Sequence, residues 1–440
     1  MSKIAMIGLG CPKNQVDAEM MLSKLIDSGF ELTADLEEAD AVIVNTCGFI
    51  EDAKKEAIDY ILEACEMKND GTVKGVIVTG CLAERYKEEI MTEIPEVDAC
   101  VGIGANSRIA EICRTVLDGE KFCEFPPKSC LPLDGDRLLT TPSHYAYLKI
   151  AEGCSNHCTY CAIPEIRGKF RSRQFESVVA EAKELAISGV KEIILVAQDT
   201  TKYGFDLYGE LRLAELVKEI AKIEGIQWIR LLYCYPESIN DELIDVIANE
   251  EKVCKYIDLP LQHCNGDVLK RMNRKGNRDY LADLIAKMRA KIPELTLRTT
   301  FITGFPGETE EQFTELCEFI NEVRFDRLGC FAYSPEDGTP AAKLDGQLDT
   351  EIKSKRAEIV MNEQMLIMEE KQKAKIGTTT EVIVDYFDED NLIYVGRTSN
   401  DAPEIDTNCI ISSEDELSAG EIIKCKVIGY DDFDMVVEVI

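Results

Sequence analysis

Short apolar runs alternate with amphipathic stretches along the first part of the chain. Three runs rich in β-branched residues are predicted strands: Lys3–Leu9, Ala41–Thr46 and Lys74–Thr79. A helical period follows each of them, at about Asn14–Gly29, Glu51–Met67 and Leu82–Glu93. Apolar strands alternating with helices are typical of a parallel sheet covered on both faces. We therefore predict an open parallel α/β sheet domain over residues 1–135.

Six further strand–helix repeats follow a polar, irregular linker. Their predicted strands are Tyr145–Ala151, Glu192–Ala197, Trp228–Cys234, Tyr256–Leu261, Leu295–Thr303 and Arg327–Tyr333. A full parallel barrel needs eight such units. Six predict a partial (β/α)6 TIM-like barrel over residues 144–372, open on one side and closed off in sequence by a long helix, Thr350–Lys375.

The last stretch, residues 373–440, changes to short strands separated by turns. The predicted strands are Glu381–Tyr386, Leu392–Arg397, Cys409–Ser412, Glu421–Tyr430 and Met435–Val439. Five short strands without intervening helices predict a small antiparallel, OB-like β-barrel. The sequence therefore predicts an α/β protein of three domains, the last of which is a small β-barrel.

The composition limits which kinds of binding site and partner the chain can have. The chain of 440 residues has 18 cysteines, three histidines and a net charge of −33. No apolar run is long enough to span a membrane, and the first residues enter a strand pattern rather than a signal peptide, so we expect a cytoplasmic protein. Cysteines in such a protein point to metal ligation rather than disulfides. Strong negative charge disfavours nucleic acid and favours basic partners, although it is equally typical of a solubility or salt adaptation.

Three cysteines are closely spaced just after the first strand of the central domain. Cys154, Cys158 and Cys161 form a C-x3-C-x2-C pattern, and the next cysteine is Cys234. Thiolates are soft anionic ligands, so three of them can hold three corners of an iron–sulfur cubane and leave one iron open. The alternatives are a zinc site, which normally takes four ligands, or a set of buried thiols.

A second group of cysteines follows the three predicted strands of the first domain. Cys11, Cys47 and Cys81 each come one or two residues after the end of a predicted strand, where open α/β sheets bind ligands. Glycines next to each cysteine allow the backbone to turn closely around a bulky group. The three residues predict a second three-cysteine cluster with an open iron. Buried structural thiols are the alternative.

The residues around both groups resemble known families. The C-x3-C-x2-C pattern with Tyr160 before its last cysteine resembles the radical S-adenosylmethionine (SAM) superfamily. The segments Gly8–Asn14, Asn45–Phe49 and Thr79–Cys81 resemble the amino-terminal domain of the methylthiotransferases, and the last 68 residues resemble a TRAM domain. The resemblance implies two 4Fe–4S clusters, one held by each cysteine triad. It also implies SAM chelated at the open iron with Tyr160 near its adenine, and cleavage of SAM to a 5′-deoxyadenosyl radical by one electron.

Polar residues after two strands of the partial barrel are candidates for holding SAM. Gln198 and Asp199 follow the second strand, and Gly304 and Gly307 follow the fifth. Chemistry on such barrels collects at the carboxyl ends of the strands, so these residues are predicted to meet the polar groups of SAM. For the two glycines, a simple turn is an equally good interpretation. We assign no catalytic residue beyond the cluster ligands.

Two branches of the methylthiotransferases compete as the better match. One modifies an adenosine of tRNA, and the other modifies an aspartate of the small-subunit ribosomal protein uS12. The segments Gly10–Asn14 and Pro164–Gly168 look more like the second branch. Residues 373–440 carry five basic and sixteen acidic side chains, a net charge of −11, which suits a basic protein and argues against a direct grip on RNA.

The resulting hypothesis is a radical SAM enzyme that inserts a methylthio group at the β-carbon of an aspartate of uS12. SAM serves as methyl donor and as radical source, and a low-potential electron donor such as ferredoxin or flavodoxin is implied. The alternatives left open are a tRNA adenosine methylthiotransferase, another radical SAM enzyme such as a methylase, and a non-catalytic iron–sulfur electron carrier.

Overall fold

The computed structural model describes every residue from Met1 to Ile440. The chain forms two compact units: Met1–Thr140 with Ala151–Arg173 and Ser334–Ala342, and Thr141–Ile150 with Gln174–Tyr333 and Lys343–Ile440. No helix combines the length and the apolar character that crossing a membrane requires.

Six strands and five helices form along the first 140 residues. The strands are Lys3–Gly8 (β1), Glu31–Leu32 (β2), Ala41–Thr46 (β3), Gly75–Gly80 (β4), Ala99–Val101 (β5) and Phe122–Glu124 (β6). The helices are Pro12–Asp27 (α1), Glu51–Asn69 (α2), Cys81–Tyr86 (α3), Glu88–Glu93 (α4) and Ile109–Leu117 (α5).

The strands of this first part make one parallel sheet in the order β2-β1-β3-β4-β5-β6. Side chains of β3 alternate between its two faces. Val42 and Val44 pack with helices α2 to α4, whereas Ala41 and Ile43 pack with α1 and α5. Both faces are thus apolar, which explains why the strands have no polar alternation. The predicted parallel α/β sheet is confirmed.

The rest of the first unit and most of the second lie between residues 145 and 375. The strands are Tyr145–Lys149 (β7), Ala151–Glu152 (β8), Arg171–Ser172 (β9), Glu192–Val196 (β10), Trp228–Leu231 (β11), Val253–Asp258 (β12), Thr296–Thr303 (β13) and Arg327–Ala332 (β14). The helices are Ile163–Arg167 (α6), Phe175–Ile187 (α7), Phe205–Tyr208 (α8), Leu213–Ala221 (α9), Asp241–Asn249 (α10), Gly266–Arg271 (α11), Arg278–Lys291 (α12), Glu310–Val323 (α13) and Thr350–Lys375 (α14).

Six strands of the second unit form a parallel sheet in the order β14-β13-β12-β11-β10-β7. β7 and β14 are its two edges, so the curved sheet stays open, as six repeats predict. The sheet follows the chain order without exception, and its strands are parallel because a crossover joins each strand to the next.

The C-terminal strands close on themselves. They are Thr379–Asp388 (β15), Ile393–Thr398 (β16), Cys409–Ser412 (β17), Ile422–Asp431 (β18) and Asp434–Val439 (β19), and they form a barrel in the order β15-β16-β17-β19-β18. Four of the five pairings are antiparallel, and β17 with β19 is parallel. The predicted small barrel is therefore confirmed, with one parallel pair that the order of strands requires.

Within the second unit, a buried ionic network joins the barrel to the parallel sheet. Arg230 of β11 and Arg397 of β16 each donate to Glu192 at the start of β10, at 2.7 Å. Arg397 also pairs with Asp385, which accepts a 2.7 Å contact from His144. Burial opposes ionisation of Glu192, but the two guanidinium groups hold the pKa of its carboxyl below the usual 4.5. Ionic contacts therefore fix the barrel to the sheet.

Removing the carboxylate at the centre of this network should destabilise the second unit. The substitution Glu192→Gln leaves two buried guanidinium groups short of a counter-charge, so we expect a loss of about 3–5 kcal/mol in the free energy of unfolding. Urea unfolding at pH 7 measures it. Glu242→Gln, at the exposed ion pair with Lys218, is the control and should cost less than about 1 kcal/mol.

The same substitution has a pH dependence of definite sign. Because the pKa of Glu192 is lower in the folded protein, its contribution is complete above the ordinary carboxyl pKa and is lost as the pH falls below it. The stabilities of the wild type and Glu192→Gln should therefore begin to converge at the ordinary carboxyl pKa and continue to converge as the pH falls through the lower pKa of the folded protein. A difference that stays constant down to acid pH would contradict the ionic role.

Candidate metal centre

Cys11, Cys47 and Cys81 lie at one edge of the first sheet. Gly8 of β1 is in register with Asn45 of β3, and Thr46 of β3 is in register with Gly80 of β4. The three strands therefore end at the same level, and the cysteines that follow them meet there. Cys11 caps the start of α1 and Cys81 is the first residue of α3.

Glycines hold the three cysteine segments close together. A Cβ atom on Gly10 would lie 2.9 Å from the Cβ and 3.1 Å from the Sγ of Cys47. A Cβ atom on Gly48 would lie 3.0 Å from the carbonyl carbon of Cys81. Gly10 also has a φ of 98°, a backbone angle that residues with a side chain rarely adopt. The structure thus brings Cys47 against the turn that carries Cys11, and Cys81 against the turn that carries Cys47.

The pKa of each of these three thiols is influenced by burial, by nearby positive charge and, for Cys47 and Cys81, by the other cysteines. Burial opposes ionisation of Cys11, yet Lys13, Arg167 and the backbone N–H groups of α1 lower its pKa. Burial raises the pKa of Cys47, and the charge of Cys11 adds to the rise. Burial also raises the pKa of Cys81 to about 12, against the opposing influence of Arg167. A cation placed among three thiols is what anionic sulfur ligands need.

Cys154, Cys158 and Cys161 lie in the same unit, in a loop between two short strands. β8 pairs with β9 through Ala151 with Ser172 and Glu152 with Arg171, which closes the loop at its base. The N–H of Cys154 donates to the carbonyl of Gly168 at 3.0 Å, and the N–H of Cys161 donates to that of Cys158 at 3.1 Å. Cys154 and Cys158 are buried, and Cys161 and Tyr160 are half-buried.

The base of this loop requires a glycine. Gly153, directly before Cys154, has a φ of 78°, and a Cβ atom there would lie 2.3 Å from the carbonyl oxygen of Lys169. The two arms of the loop therefore approach as closely as their backbones allow. This fixes Cys154 against the opposite arm, which carries Arg167 and Gly168.

Within the first unit, the two cysteine groups are neighbours. Cys81 packs in one apolar cluster with Ala162 and Ile166, and Ala162 is the residue after Cys161. The segment Ser334–Ala342 adds a further contact, since the N–H of Ala341 donates to the carbonyl of Thr159 at 2.9 Å. The sequence predicted each triad separately, and the structure adds that their segments touch.

Neither triad is arranged around a single point. No three His, Cys, Asp or Glu side chains in the chain surround a position as ligands of one metal ion. Ligands of a multi-iron cluster bind different metal atoms and do not need to converge in this way. The glycines beside Cys11, Cys47 and Cys81 and the buried Arg167 next to Cys81 fit a bulky anionic group at the edge of the first sheet. The role of the six cysteines as cluster ligands stays a prediction.

The four residues predicted to hold SAM lie in the second unit. Gln198 and Asp199 follow β10, and the carboxylate of Asp199 accepts a hydrogen bond from the Thr201 hydroxyl at 2.6 Å. Gly304 and Gly307 follow β13 in a turn with φ values of 70° and 77°. They too stay predictions as SAM contacts.

The turn after β13 has a structural explanation of its own. A Cβ atom on Gly304 would lie 2.2 Å from Cγ of Lys353 on α14, so this glycine permits close packing of the helix. Its N–H donates to Glu308, which is paired with Arg356 of the same helix at 2.6 Å. These contacts account for the glycine at position 304, and they do not involve Gly307.

The side chain that sequence reasoning missed is Arg167. Its guanidinium is buried, donates to the Sγ of Cys81 at 3.2 Å and pairs with Asp17 of α1. The signal in the sequence was an arginine beside the apolar Ile166 and a glycine, six residues after Cys161. A basic residue within an apolar turn needs a buried counter-charge, and the sequence did not show that α1 supplies it.

Family profiles match three parts of the chain. The profile described as the radical SAM superfamily matches residues 148–320, that of the uncharacterized protein family UPF0004 matches residues 3–102, and that of the TRAM domain matches residues 376–440. Solved structures share the fold at low identity. The radical S-adenosylmethionine methyltransferase TsrM from Kitasatospora setae is 14% identical, with a TM-score of 0.57 over 78% of this chain and 75% of its own.

Curated relatives match over the whole length. The ribosomal protein uS12 methylthiotransferase RimO of Clostridioides difficile is 50% identical, covering 100% of this chain and 99% of its own. The protein of the same name from Lachnoclostridium phytofermentans is 49% identical, covering 99% of both chains. Identity of this extent over complete chains leaves no domain unmatched. The chain therefore belongs to the radical SAM methylthiotransferases, in the family of the ribosomal protein uS12 methylthiotransferases.

Proposed function

We propose that this protein inserts a methylthio group at the β-carbon of an aspartate of ribosomal protein uS12, with SAM as methyl donor and as radical source. The observation that carries the proposal is the match to uS12 methylthiotransferases along the whole chain, at 50% and 49% identity. The two cysteine triads support it, because the reaction needs a radical and a source of sulfur.

Two 4Fe–4S clusters are the cofactors of the proposed reaction, together with SAM. Cys154, Cys158 and Cys161 would hold one cluster, and Cys11, Cys47 and Cys81 the other. When bound, the first supplies the electron that cleaves SAM and the second holds the sulfur to be transferred. The chain contributes the closed loop at Gly153 and the glycine-lined turns at Gly10 and Gly48, which place the thiols.

Five residues are proposed to contact SAM. Tyr160 adjoins Cys161 and would lie by the adenine. Gln198, Asp199, Gly304 and Gly307 follow strands β10 and β13, at the ends where barrels of this type bind ligands. The buried carboxylate of Asp199 is held in place by the hydrogen bond from Thr201.

Three further expectations belong to the proposal. The matches at residues 3–102, 148–320 and 376–440 support a division into an auxiliary-cluster domain, a radical SAM domain and a TRAM domain. A ferredoxin or flavodoxin would supply electrons at low potential. Action on a ribosomal protein implies that the enzyme works in the cytoplasm.

The C-terminal barrel offers a surface for a basic protein. An open groove of about 370 Å³ lies on the barrel, and the apolar side chains of Phe387, Leu392 and Tyr394 are among those that line it. Glu414, Asp415 and Glu416 line its rim and are exposed. Of the five cations of residues 373–440, Arg397 is buried and Lys375 is half-buried, and burial lowers the pKa of Lys375. Few positive charges are left for RNA phosphates, so a basic segment of uS12 is the better match.

The reaction is tested by mass spectrometry of uS12 after anaerobic incubation with enzyme, SAM and a reductant. We expect one aspartate to gain a CH3S group in place of a hydrogen. The triple variant Cys11→Ala, Cys47→Ala and Cys81→Ala should still cleave SAM but give no methylthio product. Modified adenosine in tRNA under the same conditions, or an unmodified uS12, would overturn the proposal.

The glycine-lined turn gives a test by iron content. Gly10→Ala would press a Cβ atom against Cys47 in an unfavourable backbone conformation, so we expect the iron content to fall from about eight to about four per chain. Gly8→Ala is the matched control, because nothing lies within 4 Å of a Cβ atom at Gly8. Equal iron in the two variants would contradict the placement of the auxiliary cluster.

The groove on the barrel is tested by charge reversal. Asp415→Lys with Glu416→Lys should raise the Kd for uS12 about tenfold, which corresponds to ~1.4 kcal/mol, and the effect should shrink at high salt. Asp431→Lys with Asp432→Lys changes the charge equally on the turn between β18 and β19 and should leave the Kd nearly unchanged. Equal weakening by both pairs would show a general charge effect and not this groove.

A further inference from the structure

Arg167 makes hydrogen bonds or ion pairs with four residues in three parts of the first unit. Its Nη1 pairs with Asp17 and lies 3.5 Å from Oε2 of Glu152. Its Nη2 donates to Oδ1 of Asn14 at 2.9 Å and to Sγ of Cys81 at 3.2 Å. One side chain therefore links helix α1, which follows Cys11, to the first residue of α3 and to the strand that precedes Cys154.

Burying the guanidinium of Arg167 costs desolvation free energy, which its partners must offset. The side chain of Arg167 is 1% exposed, and burying a cation requires counter-charges and hydrogen bonds. Asp17 and Glu152 provide the counter-charges, and both are buried. Apolar contacts already pack Cys81 against Ala162 and Ile166, so packing alone does not call for a guanidinium beside its sulfur.

The planar guanidinium fixes directions that a simple positive charge would not. Its two terminal nitrogens point to different partners, so the carboxylates bound at Nη1 orient the N–H that Nη2 presents to the sulfur. Asn14 is itself held, because its Nδ2 donates to the carbonyl of Leu9 at 2.7 Å. The N–H···S contact is therefore defined by residues on both sides.

We propose that Arg167 is a positioning residue for the auxiliary cluster, acting through its hydrogen bond to the sulfur of Cys81. The proposal rests on the proposed function, in which Cys11, Cys47 and Cys81 hold that cluster. A hydrogen bond to a ligating sulfur stabilises the reduced, more negative state of a cluster and raises its reduction potential. Arg167 belongs to the loop of the other cysteine triad, so the loop that supplies the radical-cluster cysteines also tunes the auxiliary cluster.

The test measures the reduction potential of the auxiliary cluster alone. The parent protein carries Cys154→Ala, Cys158→Ala and Cys161→Ala, so that only the auxiliary cluster of about four irons assembles. Redox titration followed by electron paramagnetic resonance then compares the parent with Arg167→Lys. Lysine keeps the positive charge near Asp17 and Glu152 but lacks the second arm of the fork, so we expect a more negative potential at unchanged iron content.

A second variant tests whether the shift in potential arises from an unbalanced charge and not from the lost hydrogen bond. Arg167→Gln combined with Asp17→Asn removes one charge of each sign and keeps the network neutral to the same degree. It should also shift the potential to more negative values. Arg137→Lys is the matched control. Arg137 forms a buried ion pair, at 3.0 Å, with Glu19, and Glu19 lies on α1 as Asp17 does. It should leave the potential unchanged.

The outcomes separate the two proposals. A parent protein that binds no iron would overturn the auxiliary cluster and the role of Arg167 together. A parent with about four irons whose potential is unaltered by both Arg167 variants would overturn the role of Arg167 alone. Loss of the fold in both variants, seen as a lost thermal transition, would reduce Arg167 to a structural ion-pair partner and would also overturn it.

Discussion

Parallel pairing of β1, β3 and β4 is the constraint on which the auxiliary site depends. In a parallel sheet all strands run in the same direction, so residues far apart in sequence leave the sheet at the same edge. The register of Gly8 with Asn45 and of Thr46 with Gly80 sets how level that edge is. A shift by one residue would turn Cys47 away from its neighbours, because successive side chains point to opposite faces.

The register is in turn secured by the apolar faces of the sheet. β3 is buried along its whole length and contributes alternate residues to two separate cores. Slipping it would exchange Val42 and Val44 with Ala41 and Ile43 and mismatch the volumes on both faces. The positions of the cysteines therefore follow from hydrophobic packing some distance from them, and the thiols themselves contribute little to it.

Charged contacts position what packing does not. In the first unit Arg85 donates to the carbonyl of Gly48 and pairs with buried Glu336, which also pairs with Lys54. This contact reaches the turn of Cys47 from the segment Ser334–Ala342. Arg167 reaches Cys81 in the same way. The cores fix the strands, and buried arginines fix the turns that leave them.

Much of this could be predicted from the sequence, because the signals are local. The family, the α/β fold class and the enzyme class were expected from motifs and are confirmed by the relatives and the fold. The bounds of α14, Thr350–Lys375, agree with the prediction, because a long helical period marks them. The cysteine triads were visible because a motif is a property of neighbouring residues.

What could not be predicted depends on contacts between distant residues. β2, β5 and β6 are two or three residues long and become strands only by pairing with a sheet that already exists. The predicted helix Leu82–Glu93 was wrong as one element: it is interrupted at Lys87, whose φ of 51° ends α3 before α4 begins. Nothing in the local pattern marks that change of direction.

The buried ionic contacts show the same limit and bear on substrate choice. Net charge alone describes the C-terminal barrel as acidic, but it does not say which charges face solvent. In the structure Arg397 is buried in ion pairs with Glu192 and Asp385, whereas Glu414, Asp415 and Glu416 are exposed. Asp385 and Asp401 are held in the same kind of buried pair, so cation and anions leave the surface together and the exposed side chains of the barrel remain mostly acidic. Because one of its few cations is used to fix the barrel to the sheet, the barrel is poorly suited to phosphates and better suited to a basic protein.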